Sequence, residues 1–283
     1  MENNKVIVTV ALCGNGTTKA MTPYVPEQPD ELAADIVECA KAGAAIAHIH
    51  IRDKEGKATM NTEIFKEVCD KTRNACAKAG VDICLNLTTS GSRFTWDERI
   101  NQLRECLPEM CTFDTITMNW ANSFVFLNEP KMLERLGKEA IDLGVKPEIE
   151  VFEMGQLYNI EYYVKNEIMK APVHLQLMLG VTGAMPGTVE SLGLMVPRIP
   201  KDATWSISGI GKAHMPMLYA GLAAGANGVR VGVEDNLYLS HGVKGSNRQF
   251  VERTVDIIKT YGKEPATAQE ARDILGLIKH VDF

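Results

Sequence analysis

The feature that most constrains this chain is a repeat of eight short β-rich runs, each followed by a longer amphipathic segment. The runs are KVIVTVAL (5–12), AIAHIHI (45–51), DICLNLT (82–88), TFDTITM (112–118), KPEIEVF (146–152), VHLQLML (173–179), ATWSISG (203–209) and GVRVGV (228–233). Strand-length apolar runs alternating with helical patterns indicate βα units and a parallel sheet. Between the runs, apolar residues recur three or four apart, as at Leu32, Ile36, Val37 and Ala40. Gly43, Gly80, Gly144 and Gly225 stand where helices should end, because glycine takes the left-handed C-cap without strain. Eight such units predict an α/β fold, the (β/α)8 TIM barrel. No Pro/Gly/Ser linker or composition shift divides the chain, so one domain is expected over residues 1–283. Residues 265–283 read as an added C-terminal helix with Thr267 as N-cap.

The 283 residues suit a fold that usually runs to about 250. A hydrophobic content of 45% with 23% charged residues is that of a packed globule. The net charge of -6 supplies no general basic field for nucleic acid. No apolar run approaches the ~18 residues that span a bilayer, and the N-terminus lacks a basic region followed by a long apolar one. A cytoplasmic protein without membrane partners is expected. Seven cysteines, odd in number and without CxxC spacing, predict free buried thiols.

Active sites of barrels lie where strands end and βα loops begin, so polar residues at strand ends become the candidates. In AGAAIAHIHIRD, His48 and His50 are two apart on an extended run and point to one side. Two imidazoles at a strand exit can bind one metal ion, although HxH is short and two unrelated histidines are the plain alternative. The eighth run ends in RVGVEDN, next to the first strand in a closed barrel. Glu234 from that end would complete a two-histidine, one-carboxylate set with an open fourth position, as in catalytic zinc sites. The other reading is a solvated loop. Arg230 inside the same run needs a partner if buried, and Asp235 is the nearest choice. Glu148 and Glu150 share one face of run five, where unpaired inward carboxylates are costly, so at least one should face the site. NLTTSG (86–91) offers hydroxyls and backbone N–H groups at a strand end, suited to a carboxylate or to an ordinary turn.

Taken in order, GAAIAHIHIRD, NLTTSG, PEMCT, KPEIEVF, SGIGKAHMP, RVGVEDN and PATAQEARDILGL resemble the β-keto acid cleavage enzymes over most of the chain. The resemblance implies a Zn2+ ion held by His48, His50 and Glu234. It implies substrate contacts from Thr88, Gly91 and Thr112, a polar role for Glu150, and a buried Arg230–Asp235 dyad acting as base. It further implies a β-keto acid and acetyl-CoA as substrates, acetoacetate and a new acyl-CoA as products, and a homotetramer. One position departs from the pattern. The family's best-known activity, on 3-keto-5-aminohexanoate, uses a first-loop glutamate to hold the substrate ammonium, and Gly16 stands there in this chain. A different β-keto acid is therefore expected. The alternative enzyme class is a metal-dependent hydrolase of the amidohydrolase barrel type, and a non-enzymatic binding barrel is a third reading.

Overall fold

The structure, a computed structural model, describes residues 4–281; the ends of the domain expected over 1–283, including the last two residues of the expected C-terminal helix segment, lie outside the described residues. Eight parallel strands close on themselves: β1 (Lys5–Ala11), β2 (Ile46–Ile49), β3 (Cys84–Leu87), β4 (Met110–Asp114), β5 (Lys146–Val151), β6 (His174–Leu179), β7 (Thr204–Gly209) and β8 (Gly228–Val231). Closure comes from β8 pairing with β1 in the register Thr9 to Arg230. Helices α1 (Pro29–Ala42), α2 (Thr62–Ala79), α3 (Trp96–Cys106), α4 (Pro130–Leu143), α5 (Met154–Lys165), α6 (Val189–Met195), α7 (His214–Ala223) and α8 (Asn247–Thr260) follow the strands in turn. This is the TIM barrel that the repeat predicted.

Alternation along the strands sorts side chains into two sets. Val6, Val8, Val10, Ala47, Ile49, Leu85 and Leu87 belong to the main core cluster with the helices. The opposite set points inward, and at the N-terminal end of the barrel Ile7, Ile46, Cys84 and Met110 pack against Ala268, Ala271 and Leu275. Those alanines and the leucine come from α9 (Ala268–Leu275), the expected added helix, with Thr267 capping it by accepting the Glu270 backbone N–H. Arg272 fixes the helix beneath the barrel by pairing with Glu109 at 2.9 Å and with Asp82. One end of the barrel is thereby plugged, and chemistry is left to the other.

Several strands are a residue or two shorter than their runs, and two depart further. β4 lies at Met110–Asp114, two residues earlier than its run suggested, because Met110 and Cys111 pair with both neighbouring strands. The remainder of that run enters a separate hairpin, Met118–Trp120 against Phe124–Phe126. β2 stops at Ile49, so His50 leaves the sheet, and Ile51–Arg52 turns into a small antiparallel pairing with Ala58–Thr59. Among the described residues no helix is long and apolar enough to cross a membrane. All seven cysteines are buried and free.

Candidate active site

His48 and His50 converge with Glu234 at the open end of the barrel, each offering a ligand atom within 4.8 Å of the others. The Nε2 atoms of both rings face Glu234 Oε1, at 3.6 Å from His48 and 3.4 Å from His50. These distances are too long for good hydrogen bonds. His48 Nδ1 and Nε2 and Glu234 Oε2 are buried without a hydrogen-bond partner among the described residues. Orphaned donors and acceptors of that kind are costly unless a ligand satisfies them. Burial pushes the His48 imidazole down to about 4, so it is neutral at ordinary pH, as a metal ligand must be. Burial alone would raise the Glu234 carboxyl, but His50, Arg230 and His48 hold it well below the usual carboxylate range. A neutral His48 imidazole, the His50 ring beside it and an ionised carboxylate form a donor set that fits a divalent metal.

Local backbone geometry explains why Glu234 points there. Gly232 has φ 139°, and a Cβ there would sit 2.1 Å from the Ala11 carbonyl oxygen, so only glycine lets the chain leave β8 against β1. Gly14 in the first loop has φ 57°, and a Cβ there would lie 2.6 Å from Glu234 Cγ. That close approach brings Asn15 over the site, where its Oδ1 meets His50 Nδ1 at 3.0 Å. An amide oxygen can only accept, so His50 donates its Nδ1–H there, and the ring is held with Nε2 turned toward Glu234. Arg52, buried two residues beyond His50, holds the same loop by donating to the carbonyls of Gly14 (2.9 Å), Cys13 (3.3 Å) and Thr17.

Arg230 is the electrostatic centre of the mouth. Its Nε and Nη2 donate to the two oxygens of Asp235 at 2.9 and 3.0 Å, Nη2 also reaches Glu234 at 2.8 Å, and Nη1 reaches Glu150 at 2.7 Å. Although burial disfavours its charge, Asp235, Glu234 and Glu150 hold the guanidinium charged. Three carboxylates around one cation cannot all ionise cheaply. Burial pushes Glu150 well above the usual range against the pull of Arg230, and adjacent Asp114 adds to the push. Burial also raises Asp235, while Arg230 and a 2.8 Å hydrogen bond from Ser208 pull the other way. The Asp235 carboxylate is thus made more basic than an exposed one without losing its ion pair.

The NLTTSG loop is tied to β4. Thr112 Oγ1 accepts the Thr89 N–H at 3.0 Å, Thr89 Oγ1 donates to the Thr112 carbonyl at 2.8 Å, and Thr88 Oγ1 accepts the Ser90 N–H at 3.1 Å. Ser90 in turn donates to Asp114 at 2.5 Å. Gly91 sits under the loop, where a Cβ would come within 3.1 Å of Met60 and Phe94. The structure therefore gathers His48, His50, Glu234, Arg230, Asp235 and Glu150 into one network, while Thr88 and Thr112 bond within the NLTTSG segment and between it and β4, and Gly91 packs against Met60 and Phe94. Gly16 is exposed on the first loop, with nothing within 4 Å of the Cβ it lacks. At the ends of β5 and β6, Met118, Phe126, Phe152, Met178 and Val181 form an apolar cluster bordered by Trp120 and Ile210.

Asn15, Arg52, Ser208 and Asp114 escape a reading of the sequence alone. Arg52 carried a signal, since it extends the every-second-residue pattern of His48 and His50. Asn15 and Ser208 carried none, because their partners arrive from 35 and 27 residues away. His174, by contrast, lies at the start of β6, with Nδ1 2.8 Å from Thr204 Oγ1, at the opposite end of its strand from the mouth. Strands five and six thus add no histidine to the metal-facing end, unlike the amidohydrolase arrangement.

Known proteins resemble this chain in sequence and in fold. The chain is 36% identical over 276 residues to a 3-keto-5-aminohexanoate cleavage enzyme of Fusobacterium nucleatum, covering 97% of this chain and 99% of that protein. It is 35% identical over 299 residues to a 3-dehydrocarnitine:acetyl-CoA trimethylamine transferase of Rhizobium meliloti, covering 98% of each. Among solved structures, apo ObcA superposes with a TM-score of 0.78 at 20% identity, over 92% of this chain and 66% of that longer one, a likeness of fold. The profile of the beta-keto acid cleavage enzymes matches residues 5–277, and with the motif order and the two relatives it shows that this chain belongs to the β-keto acid cleavage enzyme family.

Proposed function

We propose that the protein is a zinc-dependent acyltransferase that condenses a β-keto acid with acetyl-CoA and releases acetoacetate and a new acyl-CoA. The observation that carries this reading is the Arg230 network, which joins a His48–His50–Glu234 donor set to a buried, basic Asp235 in one mouth. Zinc held by the two histidines and Glu234 would supply Lewis acidity, making the carbon between ketone and carboxylate easier to deprotonate.

Asp235 accepts that proton. Its basicity is raised by burial, and the two hydrogen bonds from Arg230 orient the carboxylate. The carbanion attacks the acetyl carbonyl of acetyl-CoA and the thiolate leaves. The thiolate then attacks the original acyl group, the carbon–carbon bond breaks, and the acetoacetate carbanion recovers the proton from Asp235. Arg230 keeps its charge throughout and balances whichever carboxylate is ionised. Glu150, which holds its proton more tightly than an ordinary carboxyl, spares the mouth a third negative charge.

Two observations support an uncharged acyl group in place of an amino-bearing one. Gly16 leaves open space on the first loop, and Met118, Phe126, Phe152 and Met178 gather into an apolar cluster at the ends of β5 and β6. The test is to incubate the zinc-loaded protein with acetyl-CoA and a panel of β-keto acids that differ at the acyl end, and to measure acetoacetate and acyl-CoA. Formation of both from an uncharged member is expected. Hydrolysis without acetyl-CoA, or no turnover of any member, overturns the assignment.

A further inference from the structure

Both histidines turn Nε2 toward Glu234, yet among the described residues only one outer nitrogen has a partner: His50 Nδ1 meets Asn15, and His48 Nδ1 is buried and finds none. Ligating histidines need an acceptor for the second ring N–H, since it sets the tautomer and aims the lone pair. In the β2–β3 register His48 lies directly beside Asn86. The Asn86 side chain points into the barrel, because its Nδ2 donates to Glu148 Oε1 at 2.7 Å across the intervening strand β4. That bond orients the amide. With the NH2 group given to Glu148, the Oδ1 acceptor is the other end, and it too is fully buried without a partner among the described residues.

Resting on the metal reading above, we propose that Asn86 is the positioning residue of His48: its Oδ1 accepts the His48 Nδ1–H when metal is bound, and Glu148 holds the amide in that orientation. The histidine pair would then be steered by two asparagines, Asn15 from the first loop and Asn86 from β3. Glu148, which neither touches the metal ligands nor belongs to the Arg230 hydrogen bonds, acquires a role as the anchor beneath the site. The proposal satisfies two orphaned buried atoms with one hydrogen bond, the saving expected when a buried donor and acceptor meet.

Zinc affinity of the full chain, measured by competition with a chromophoric chelator, tests this together with urea unfolding of the metal-free chain. Asn86→Leu, similar in volume but without an acceptor, should bind zinc roughly 10- to 100-fold more weakly. Glu148→Gln, whose amide oxygen can still accept the Asn86 Nδ2–H, should keep most of the parent's affinity. Gln176→Leu, which removes another fully buried amide from the barrel interior with no histidine in its strand register, should leave zinc affinity unchanged. In the zinc-loaded parent, long-range 1H–15N spectra should show His48 protonated at Nδ1 with a slowly exchanging proton, a readout that needs no variant to fold. Parent-like affinity in Asn86→Leu, equal weakening in Asn86→Leu and Glu148→Gln, or a His48 Nδ1 without a proton would each overturn the inference. A parent chain that binds no divalent metal overturns the metal reading itself.

Discussion

Asp235→Asn isolates the proposed base while leaving the metal ligands in place. In the parent, Asp235 Oδ2 accepts from Ser208 Oγ at 2.8 Å and Arg230 Nε at 2.9 Å, and Oδ1 accepts from Arg230 Nη2 at 3.0 Å. An asparagine can keep its oxygen at only one of these positions. The cheaper choice puts it at the Oδ2 position, where two donors converge, and turns the NH2 group toward Arg230 Nη2. One charge-assisted hydrogen bond is then lost, a cost of about 1.5–3 kcal/mol. For a domain of this size that lowers Tm by about 3–12 °C. Elemental analysis should find zinc unchanged, because His48, His50 and Glu234 keep their atoms. Removing a general base should slow turnover by roughly 10²–10⁴. Exchange of the C2 protons of the β-keto acid in D2O without acetyl-CoA, read by proton NMR against the protein-free rate, should fall with it. An Asp235→Asn variant that retains zinc and turns over within a factor of about three of the parent refutes the base assignment, since that lies far below the expected range.

Other outcomes follow from the same geometry. His48→Ala and Glu234→Ala should each lose zinc in elemental analysis, and full occupancy in both would remove them as ligands. His174, held down to about 3 by burial, stays neutral in the folded chain while an unfolded chain protonates near pH 6.5. Its contribution is therefore complete above pH 6.5 and is lost as pH falls from there toward 3, by about 1.4 kcal/mol per pH unit through most of that window. Urea unfolding of His174→Gln between about pH 7 and 4 should show an acid limb shallower by about one proton; an unchanged slope contradicts the reasoning. Gly16→Glu has open space for its side chain and should leave Tm nearly unchanged. It should raise kcat/KM for an amino-bearing β-keto acid relative to an uncharged one, and an unchanged ratio would separate position 16 from acyl-end selection.

The strands were legible because their signal is local. Apolar runs with period two and glycine-capped helices between them identify eight βα units without reference to anything distant. Boundaries were less legible. TFDTITM is strand-like throughout, and only pairing with β3 and β5 decides that Met110–Asp114 is the barrel strand and that the chain past it turns into a hairpin. The metal set was half legible: the HxH pattern fixes two side chains on one face, whereas Glu234 depends on β8 closing against β1.

What the sequence determined by itself is the barrel, the strand-end position of His48, His50, Glu234, Arg230 and Asp235, and, through motif order, the family. Tertiary structure alone decided how their charges are shared. Arg230 touches three carboxylates, Glu150 rises while Glu234 falls, and Asn15 and Ser208 appear as partners. The reason is physical. Strand and helix patterns come from interactions within a few residues, but desolvation and Coulomb energies depend on groups far apart in the chain, such as Arg230 and Glu150, 80 positions apart yet 2.7 Å from each other in the closed barrel.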